Sequence, residues 1–465
     1  MNTTIRTSLL AAAAGACLSL PAQAAGEAKN VIFFLGDGMG PTTVTASRIY
    51  KYGETGRLNM ESLKRTARIK TFSNDAQTTD SAPSMAAYMT GVKMNNEVLS
   101  MSSDTKAVAP GLDANNNKTI NNCLPSNGKS VPTLLELAKA RGKAVGAITT
   151  TELTHATPAA TYSHICHRDA QYDIAAQAVP GGAGFNAALL DGVDVLMGGG
   201  RNHWTPYDAT TNKRGRADGR NLLTELQAKG YTVLSTRNEM MQASGGKLVG
   251  LFSSNSHLEY EIDRVAGKGE GATQPSLADM TAKAIETLSK NGNGYFLMVE
   301  GGRIDHALHG TNAKRALEDT IAFDDAIKRA LSMVDLSNTL VVVTADHDHT
   351  MTINGYSHRG NPILGTVTDI KTKQTALAAD GMPYTTLVFG NGGTPRKPTR
   401  DNPALVDTTA NDYLQEVGVN MGSPGSETHG GGDVMLFSSG PGSAPLKGTL
   451  DNTKVFGVVK SALGL

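Results

Sequence analysis

Three runs of apolar residues, rich in β-branched and aromatic side chains, constrain the fold of this 465-residue chain more than any other feature. They are residues 30–35, 295–299 and 339–345. Runs without polar alternation are typical of strands that are buried on both faces, as in parallel sheets covered by helices. With weaker strand and helix signals between them, they predict an α/β protein with a large, mostly parallel sheet sandwiched between helix layers.

Acidic residues and histidines follow these runs directly. Asp37 follows the first run, Asp305 and His309 follow the second, and Asp346 and His347 follow the third. A polar turn after a strand is the common alternative, but residues 346–349 contain two Asp and two His. Since α/β sheets place ligands at the carboxyl ends of their strands, and zinc prefers imidazole and carboxylate, we expect metal ligands here.

Residues 78–87 predict a turn that leads into a helix. Thr79 and Asp80 are both candidate caps, and Gly91 is placed to end the helix. Ser81 would then lie at a helix N-terminus, where free N–H groups favour an anion. An isolated Asp-Ser would be only a cap, but metal ligands nearby could deprotonate Ser81 and make it a nucleophile.

Two further segments carry candidate site residues whose signals are weaker on their own. Thr157 follows a predicted strand at residues 143–150, and Arg168 lies eleven residues later. A threonine at a strand end and a later arginine suit a metal ligand and an oxyanion clamp. His429, within residues 426–433, is the final candidate ligand.

Composition excludes some partners and indicates export. Lys+Arg and Asp+Glu are both 43, so the net charge is zero and favours neither nucleic acid nor an anionic membrane. Residues 1–24 resemble a signal peptide, with Arg6 before a short apolar run and a small-x-small cleavage site. The run is too short to span a membrane. We therefore expect a periplasmic or secreted protein, with lipid attachment at Cys17 as a weaker alternative.

Cleavage would leave two cysteines and one long domain. In an exported protein, Cys123 and Cys166 favour a disulfide, although two separate buried thiols are the alternative. Residues 25–465 would form a single domain. Residues 355–425 lose the strand and helix alternation and are rich in Gly, Pro, Asn and Thr, which indicates an insertion.

Six segments together resemble one known family, the alkaline phosphatases, and follow that family's order over nearly the whole mature chain. The segments are Asp37-Gly38-Met39-Gly40, Thr79-Asp80-Ser81-Ala82, His155-Ala156-Thr157-Pro158, Val299-Glu300-Gly301-Gly302-Arg303-Ile304-Asp305-His306, Thr344-Ala345-Asp346-His347 and Glu427-Thr428-His429. The resemblance implies hydrolysis of phosphate monoesters, an alkaline-phosphatase-like fold with a small crown-like insertion, and a homodimer.

The resemblance also implies roles for the candidate residues. Ser81 would form a phosphoseryl intermediate. One zinc ion would supply hydroxide for the second step, and another would turn the serine into an alkoxide. Their ligands, in that order, would be Asp305, His309 and His429, and then Asp37, Asp346 and His347.

A third metal, magnesium, would complete a set of two zinc ions and one magnesium ion per chain. Its ligands would be Asp37, Thr157, Glu300 and His155, with His306 close behind. His155 and His306 stand where some bacterial members carry Asp and Lys, and such an imidazole pair could admit zinc.

The same resemblance assigns substrate binding to two more residues. Arg168 would grip two non-bridging phosphate oxygens, and Asp80 would orient that arginine. A fork of this kind favours monoesters over diesters.

Three other functions compete with this one. A sulfatase of the same superfamily would need Arg where Ser81-Ala82-Pro83-Ser84-Met85 ends in Met. A phosphodiesterase would use a similar metal centre. An exported zinc-storage protein would need neither the serine at a helix N-terminus nor the arginine.

Overall fold

A computed structural model describes residues 28–210, 213–393, 400–422 and 425–465. The predicted signal peptide, residues 1–24, lies outside these residues. The strands are β1 (Asn30–Gly36), β2 (Arg65–Lys70), β3 (Ala144–Glu152), β4 (Val195–Gly199), β5 (Thr232–Leu234), β6 (Leu248–Leu251), β7 (Tyr295–Gly301), β8 (Thr339–Thr344), β9 (Asp348–His349), β10 (Met351–Ile353), β11 (Leu387–Gly392), β12 (Val417–Asn420), β13 (His429–Gly430), β14 (Val434–Ser439) and β15 (Gly448–Asp451). The helices are α1 (Pro41–Tyr52), α2 (Ser81–Thr90), α3 (Leu134–Ala140), α4 (Ala156–Tyr162), α5 (Gln171–Gln177), α6 (Leu222–Ala228), α7 (Arg237–Gln242), α8 (Glu261–Val265), α9 (Leu277–Leu288), α10 (Arg303–His309), α11 (Ala313–Leu331) and α12 (Asn452–Leu463).

One ten-stranded sheet forms the centre of the molecule, with the order β15-β2-β14-β8-β1-β7-β3-β4-β6-β5. β14 is antiparallel to both of its neighbours, whereas the other pairings in this sheet are parallel. The three apolar runs lie side by side as β8, β1 and β7, with Asn30 beside Thr339 and Val31 beside Phe296. The predicted large, mostly parallel sheet is therefore confirmed.

Helices in two groups cover this sheet. One group contains α1, α9, α10 and α11, which contact each other, and the other contains α2, α3, α4 and α12. Between them the side chains of β1, β7 and β8 are buried over almost their whole length. Each fully buried Val, Leu, Ile or Phe stabilises the fold by about 1.5–3 kcal/mol, so the central strands dominate the core energetically.

Two strands at one end of the sheet, the edge strand β15 and its neighbour β2, were not expected from the sequence. β2 has the sequence Arg-Thr-Ala-Arg-Ile-Lys, and only Ala67 and Ile69 are buried. β15 is half-buried or exposed throughout. Such strands bury one face or less, so they lack the continuous apolar pattern that identified the centre of the sheet.

The segment predicted as an insertion contains more regular structure than its composition suggested. β11 and β12 lie within residues 355–425. They form a separate three-stranded sheet in which β11 pairs with both β10 and β12. Outside this segment, a disulfide joins Cys123 to Cys166. Among the described residues, no helix is long and apolar enough to cross a membrane.

Candidate metal centre and nucleophile

The carboxyl ends of the central strands bring the candidate residues to one edge of the sheet. Asp37 follows β1, Glu300 lies near the end of β7, and Asp346 and His347 follow β8. His429 is the first residue of the short strand β13 and lies just before β14 instead of following a strand of the large sheet. Because β14 is antiparallel to β8, its amino end lies at the same edge as the carboxyl ends of the parallel strands.

Ser81 is the first residue of α2 and is only 2% exposed. Asp80 is the N-cap and accepts a hydrogen bond from the Ala82 N–H, while Gly91 ends the helix with φ of 75°. The Ser81 hydroxyl lies 3.3 Å from Asp37 Oδ1 and 3.1 Å from His347 Nε2. A hydroxyl at a helix N-terminus therefore faces two candidate metal ligands.

One half of the centre, which we call the imidazole half, surrounds a single carboxylate. Asp305 Oδ1 lies 3.3 Å from His309 Nε2, 2.8 Å from His349 Nε2 and 3.5 Å from His429 Nε2. These four residues offer ligand atoms that all lie within 4.8 Å of one another. Although burial alone would raise it, the pKa of Asp305 is held well below its usual range by His309 and His349.

Sequence reasoning gave no role to His349 or to Glu427. The His349 Nδ1 lies 2.5 Å from Glu427 Oε2, and the Thr350 N–H donates to Glu427 Oε1. Burial would lower the pKa of His349, but its hydrogen bonds to Asp305 and Glu427 outweigh burial and raise the pKa to about 10. Both residues lie in segments already noted for their Asp, Glu and His content, which was the available signal.

The other half, the carboxylate half, contains Asp37, Glu300 and Asp346, all fully buried. Burial raises the pKa of Asp37 well above its usual range, and the charge of Asp346 raises it further. Burial likewise raises the pKa of Glu300 to about 7. Among the described residues, nothing donates a hydrogen bond to Asp37 Oδ2 or Asp346 Oδ2. Buried carboxylates without donors are costly unless cations compensate them, so this donor set fits metal ions.

The predicted third-metal ligands adjoin the carboxylate half. Asp37, His155 and Glu300 offer ligand atoms within 4.8 Å of one another. His155 is the N-cap of α4, and Thr157, in the first turn of the same helix, is fully buried. His155 Nδ1 is buried without a hydrogen-bond partner among the described residues, so it is available to a metal or its water.

Behind His155 lies a group of histidines that includes one the sequence did not single out. The His155 and His306 rings are 5.4 Å apart, and the His257 ring is 4.3 Å from that of His306. The Arg303 guanidinium approaches His306 Nδ1 at 3.0 Å. Because His257 follows β6 in a polar loop far along the chain, no local pattern connected it to the site.

Arg168 reaches the same space from the loop after α4. Its guanidinium binds Asp80 through Nη1 and lies 3.0 Å from His155 Nε2 through Nη2. Its backbone N–H donates to the Glu97 carbonyl at 2.8 Å. The structure therefore brings Ser81, its cap and the predicted arginine to one edge of the metal-ligand cluster.

Comparison with known proteins gives a consistent result. The alkaline phosphatase family model matches residues 28–465. An alkaline phosphatase of Gadus morhua is 37% identical over 454 residues, which cover 91% of this chain and 89% of that protein. The tissue-nonspecific alkaline phosphatase isozyme of Homo sapiens is 36% identical over 458 residues, covering 92% of this chain and 82% of that protein.

Solved structures share the fold. The alkaline phosphatase of Thermus thermophilus superposes with a TM-score of 0.68 at 25% identity, covering 95% of this chain and 92% of that chain. The alkaline phosphatase of the Antarctic bacterium TAB5 gives 0.64 at 23% identity, covering 95% and 99%.

Proposed function

Because the chain belongs to the alkaline phosphatase family and catalyses metal-dependent hydrolysis of phosphate monoesters, we propose that Ser81 is its nucleophile. The observation that carries this proposal is the position of the Ser81 hydroxyl, 3.3 Å from Asp37 and 3.1 Å from His347 at the start of α2. Ser81 loses its hydroxyl proton to water, and its Oγ forms a bond to phosphorus while the bond to the leaving oxygen breaks. The leaving oxygen takes a proton from water and departs as the alcohol, and the chain carries a phosphoserine. Attack by water on phosphorus then releases inorganic phosphate and restores the hydroxyl.

Arg168 is the residue proposed to bind the phosphoryl group. Its guanidinium can grip two non-bridging oxygens, provided that its orientation is fixed beforehand. Asp80 and His155 hold it from two sides, and the Glu97 carbonyl holds its backbone. The N-terminus of α2 adds backbone N–H groups and a favourable dipole at the same place.

The two halves of the centre are proposed to hold two zinc ions and one magnesium ion per chain. Asp305, His309 and His429 would hold one zinc, and Asp37, Asp346 and His347 the other. When bound, the ions would lower the pKa of the nucleophile and of water and neutralise charge on the leaving oxygen. The magnesium ligands would be Asp37, His155, Thr157 and Glu300.

The experiment that tests Ser81 is its replacement by alanine. Ser81→Ala is expected to lose nearly all turnover of an aryl phosphate while it keeps its zinc content, because it removes no proposed protein ligand. The matched control is Ser84→Ala on the same helix, whose hydroxyl donates to the Asp346 carbonyl and which should cost at most about fivefold. Acid-quenched wild-type protein should carry covalent phosphate, and Ser81→Ala protein should carry none. Turnover like that of the wild type in Ser81→Ala would exclude this nucleophile.

The reaction class is tested on one preparation with three substrates. Aryl phosphate monoesters should be hydrolysed much faster than diesters or sulfates, because a diester presents fewer free oxygens to Arg168. The related proteins do not favour the sulfatase or phosphodiesterase alternatives. A preference for sulfate esters over phosphate monoesters would contradict this assignment.

A homodimer and export are proposed as well. Exposed apolar side chains are frequent near the small sheet, among them Tyr356, Leu405 and Val419, which suits a contact with a second copy. Light scattering at micromolar concentration should give the mass of two chains, and a monomer mass would contradict this.

A signal peptide at residues 1–24 agrees with the disulfide, since disulfides persist in oxidising compartments. Sequencing the N-terminus of the secreted protein tests it.

A further inference from the structure

One surface loop is fastened to the chain on both sides of Arg168. Within this loop, residues 105–128, Cys123 is joined by the disulfide to Cys166, two residues before the arginine. Lys118 forms an ion pair with Asp169, the residue directly after it. The loop therefore holds the arginine segment through one covalent bond and one ion pair.

Burial does not explain this attachment. Leu112, Ile120 and Leu124 are 53%, 48% and 68% exposed, so the loop adds little to the core. Its own regular structure within the described chain is limited to a bridge between Gly111 and Ile120. A loop with so little packing gains few apolar contacts from lying where it does.

The arginine segment has few other backbone contacts. Ile165 pairs with Leu99, and the Arg168 N–H donates to the Glu97 carbonyl. The Cys166 N–H lies 3.3 Å from Cys123 Sγ, so the disulfide also shields this stretch of backbone.

We propose that the 105–128 loop is a clamp that positions Arg168 to bind the phosphoryl group, an inference that rests on the proposed function of that arginine. Lys118 and Cys123 are positioning residues that act through Asp169 and Cys166. The Arg168 guanidinium must bind two phosphate oxygens at once. If its backbone is mobile, more conformational entropy is lost on binding, and the affinity for phosphate falls. Loosening the clamp therefore raises KM and weakens inhibition by inorganic phosphate, and it changes kcat less.

The test that avoids misfolding uses charge on the exposed ion pair. Lys118→Glu is expected to raise the inhibition constant of inorganic phosphate about twofold to fivefold, the range of an exposed ion pair. The exchange Lys118→Glu with Asp169→Lys should restore it. Lys106→Glu is the control, because it makes the same change of charge on the same loop. The Lys106 hydrogen bonds to Asn127 use its backbone N–H and carbonyl, which the substitution keeps. An equal rise in the control, or no restoration by the exchange, would overturn the proposal.

The disulfide is tested with Cys123→Ala together with Cys166→Ala. If this variant folds with normal zinc content, its inhibition constant for phosphate should be at least as high as that of Lys118→Glu, and a value like the wild type would overturn the clamp. If it does not fold, the charge exchange decides.

Arg168→Ala separates failure of the clamp from failure of the proposed function. If this variant binds phosphate as tightly as the wild type, the role of Arg168 itself is wrong. If it binds weakly while the loop variants bind normally, only the clamp is wrong. In the Arg168→Ala background, Lys118→Glu should cause no further loss of phosphate affinity. An equal loss of affinity in both backgrounds would show an effect that does not depend on the arginine, and it would overturn the clamp.

Discussion

The imidazole half and the carboxylate half of the metal centre lie side by side but are balanced differently. Around Asp305, three histidines surround one carboxylate, and His349 lies between Asp305 and Glu427 with its pKa raised to about 10. In the other half, burial raises the pKa values of Asp37 and Asp346, and the charge of Asp346 raises that of Asp37 further. The imidazole half thus contains a cation of its own, whereas the carboxylate half is neutralised by protons or by cations from outside the chain.

One centre therefore combines two kinds of proposed metal site. A preformed set of hydrogen bonds orients the proposed ligands of the imidazole half, as partners behind metal ligands generally do. The carboxylate half stores unfavourable charge that a bound cation relieves, so metal binding there is coupled to folding stability.

The largest effect should come from removing the metals. Dialysis against a chelator is expected to abolish turnover and lower the melting temperature, because Asp37, Glu300 and Asp346 then face each other without compensation. Zinc followed by magnesium should restore both properties. Full turnover by protein that is shown to contain no zinc would contradict the proposed metal sites of both halves and the proposed function.

Single substitutions should affect the metal-free protein in opposite directions in the two halves. Asp346→Asn removes one repelling charge and should raise the melting temperature of the chelated protein while abolishing metal-loaded turnover. His349→Gln leaves Asp305 and Glu427 without their cation and should destabilise the chelated protein by about 3 kcal/mol or more. Denaturant unfolding of both variants measures this, with exposed Asp335→Asn as the control. Shifts of the same sign would mean that the halves do not differ as described.

The folding stability of the chelated protein should depend on pH over a different range for each half of the centre. Folding raises the pKa of Glu300 from 4.5 to about 7, so the fold binds this proton more tightly and loses stability as pH rises from about 4.5 to 7. Protonated His349, with its pKa raised from 6.5 to about 10, stabilises the fold fully below pH 6.5 and loses that contribution by about pH 10.

Melting temperatures across this pH range, with and without metals, measure the two windows. Glu300→Gln should flatten the lower window, and His349→Gln should flatten the upper one. A chelated protein whose melting temperature is constant from about pH 5 to 10 would contradict both assignments.

The smallest effect concerns the third metal. Magnesium prefers oxygen ligands, so His155 and His306 should weaken its binding. Added magnesium should therefore stimulate the purified enzyme. We expect this enzyme to be most active in alkaline solution. The double change His155→Asp with His306→Lys should reduce that stimulation. Calorimetry should show that this double variant binds magnesium more tightly than the natural protein does. Equal magnesium affinity and equal response in both proteins would show that the histidine pair does not control this site.

The sequence predicted the parts of the fold whose signals are local and strong. The three apolar runs are adjacent and buried except at Asn30, and α2 begins at Ser81 and ends before Gly91 as expected. β2 and β15 were missed because their burial is partial. β2 also depends on its partners β14 and β15, which both lie hundreds of residues away from it in sequence.

The same limit applies to the candidate site. Asp37, Asp305 and Asp346 could be proposed because each follows a recognisable strand, and the structure brings them together. The function of Glu427 could not be proposed, since it depends on a hydrogen bond to His349 across 78 residues. His257 contacts His306 from a polar loop without periodicity, and only tertiary packing places it there.

The order of strands also determines when during synthesis such a protein can begin to work. Asn30 binds Tyr295 and Thr339, which are separated from it by 265 and 309 residues, so β1 has no neighbour until most of the chain exists. Contacts of this sequence separation make folding slow and leave apolar edges open to aggregation meanwhile. A nascent or truncated chain that ends before β13 would lack His429 beside Asp305, and turnover should therefore be a property of nearly complete chains alone.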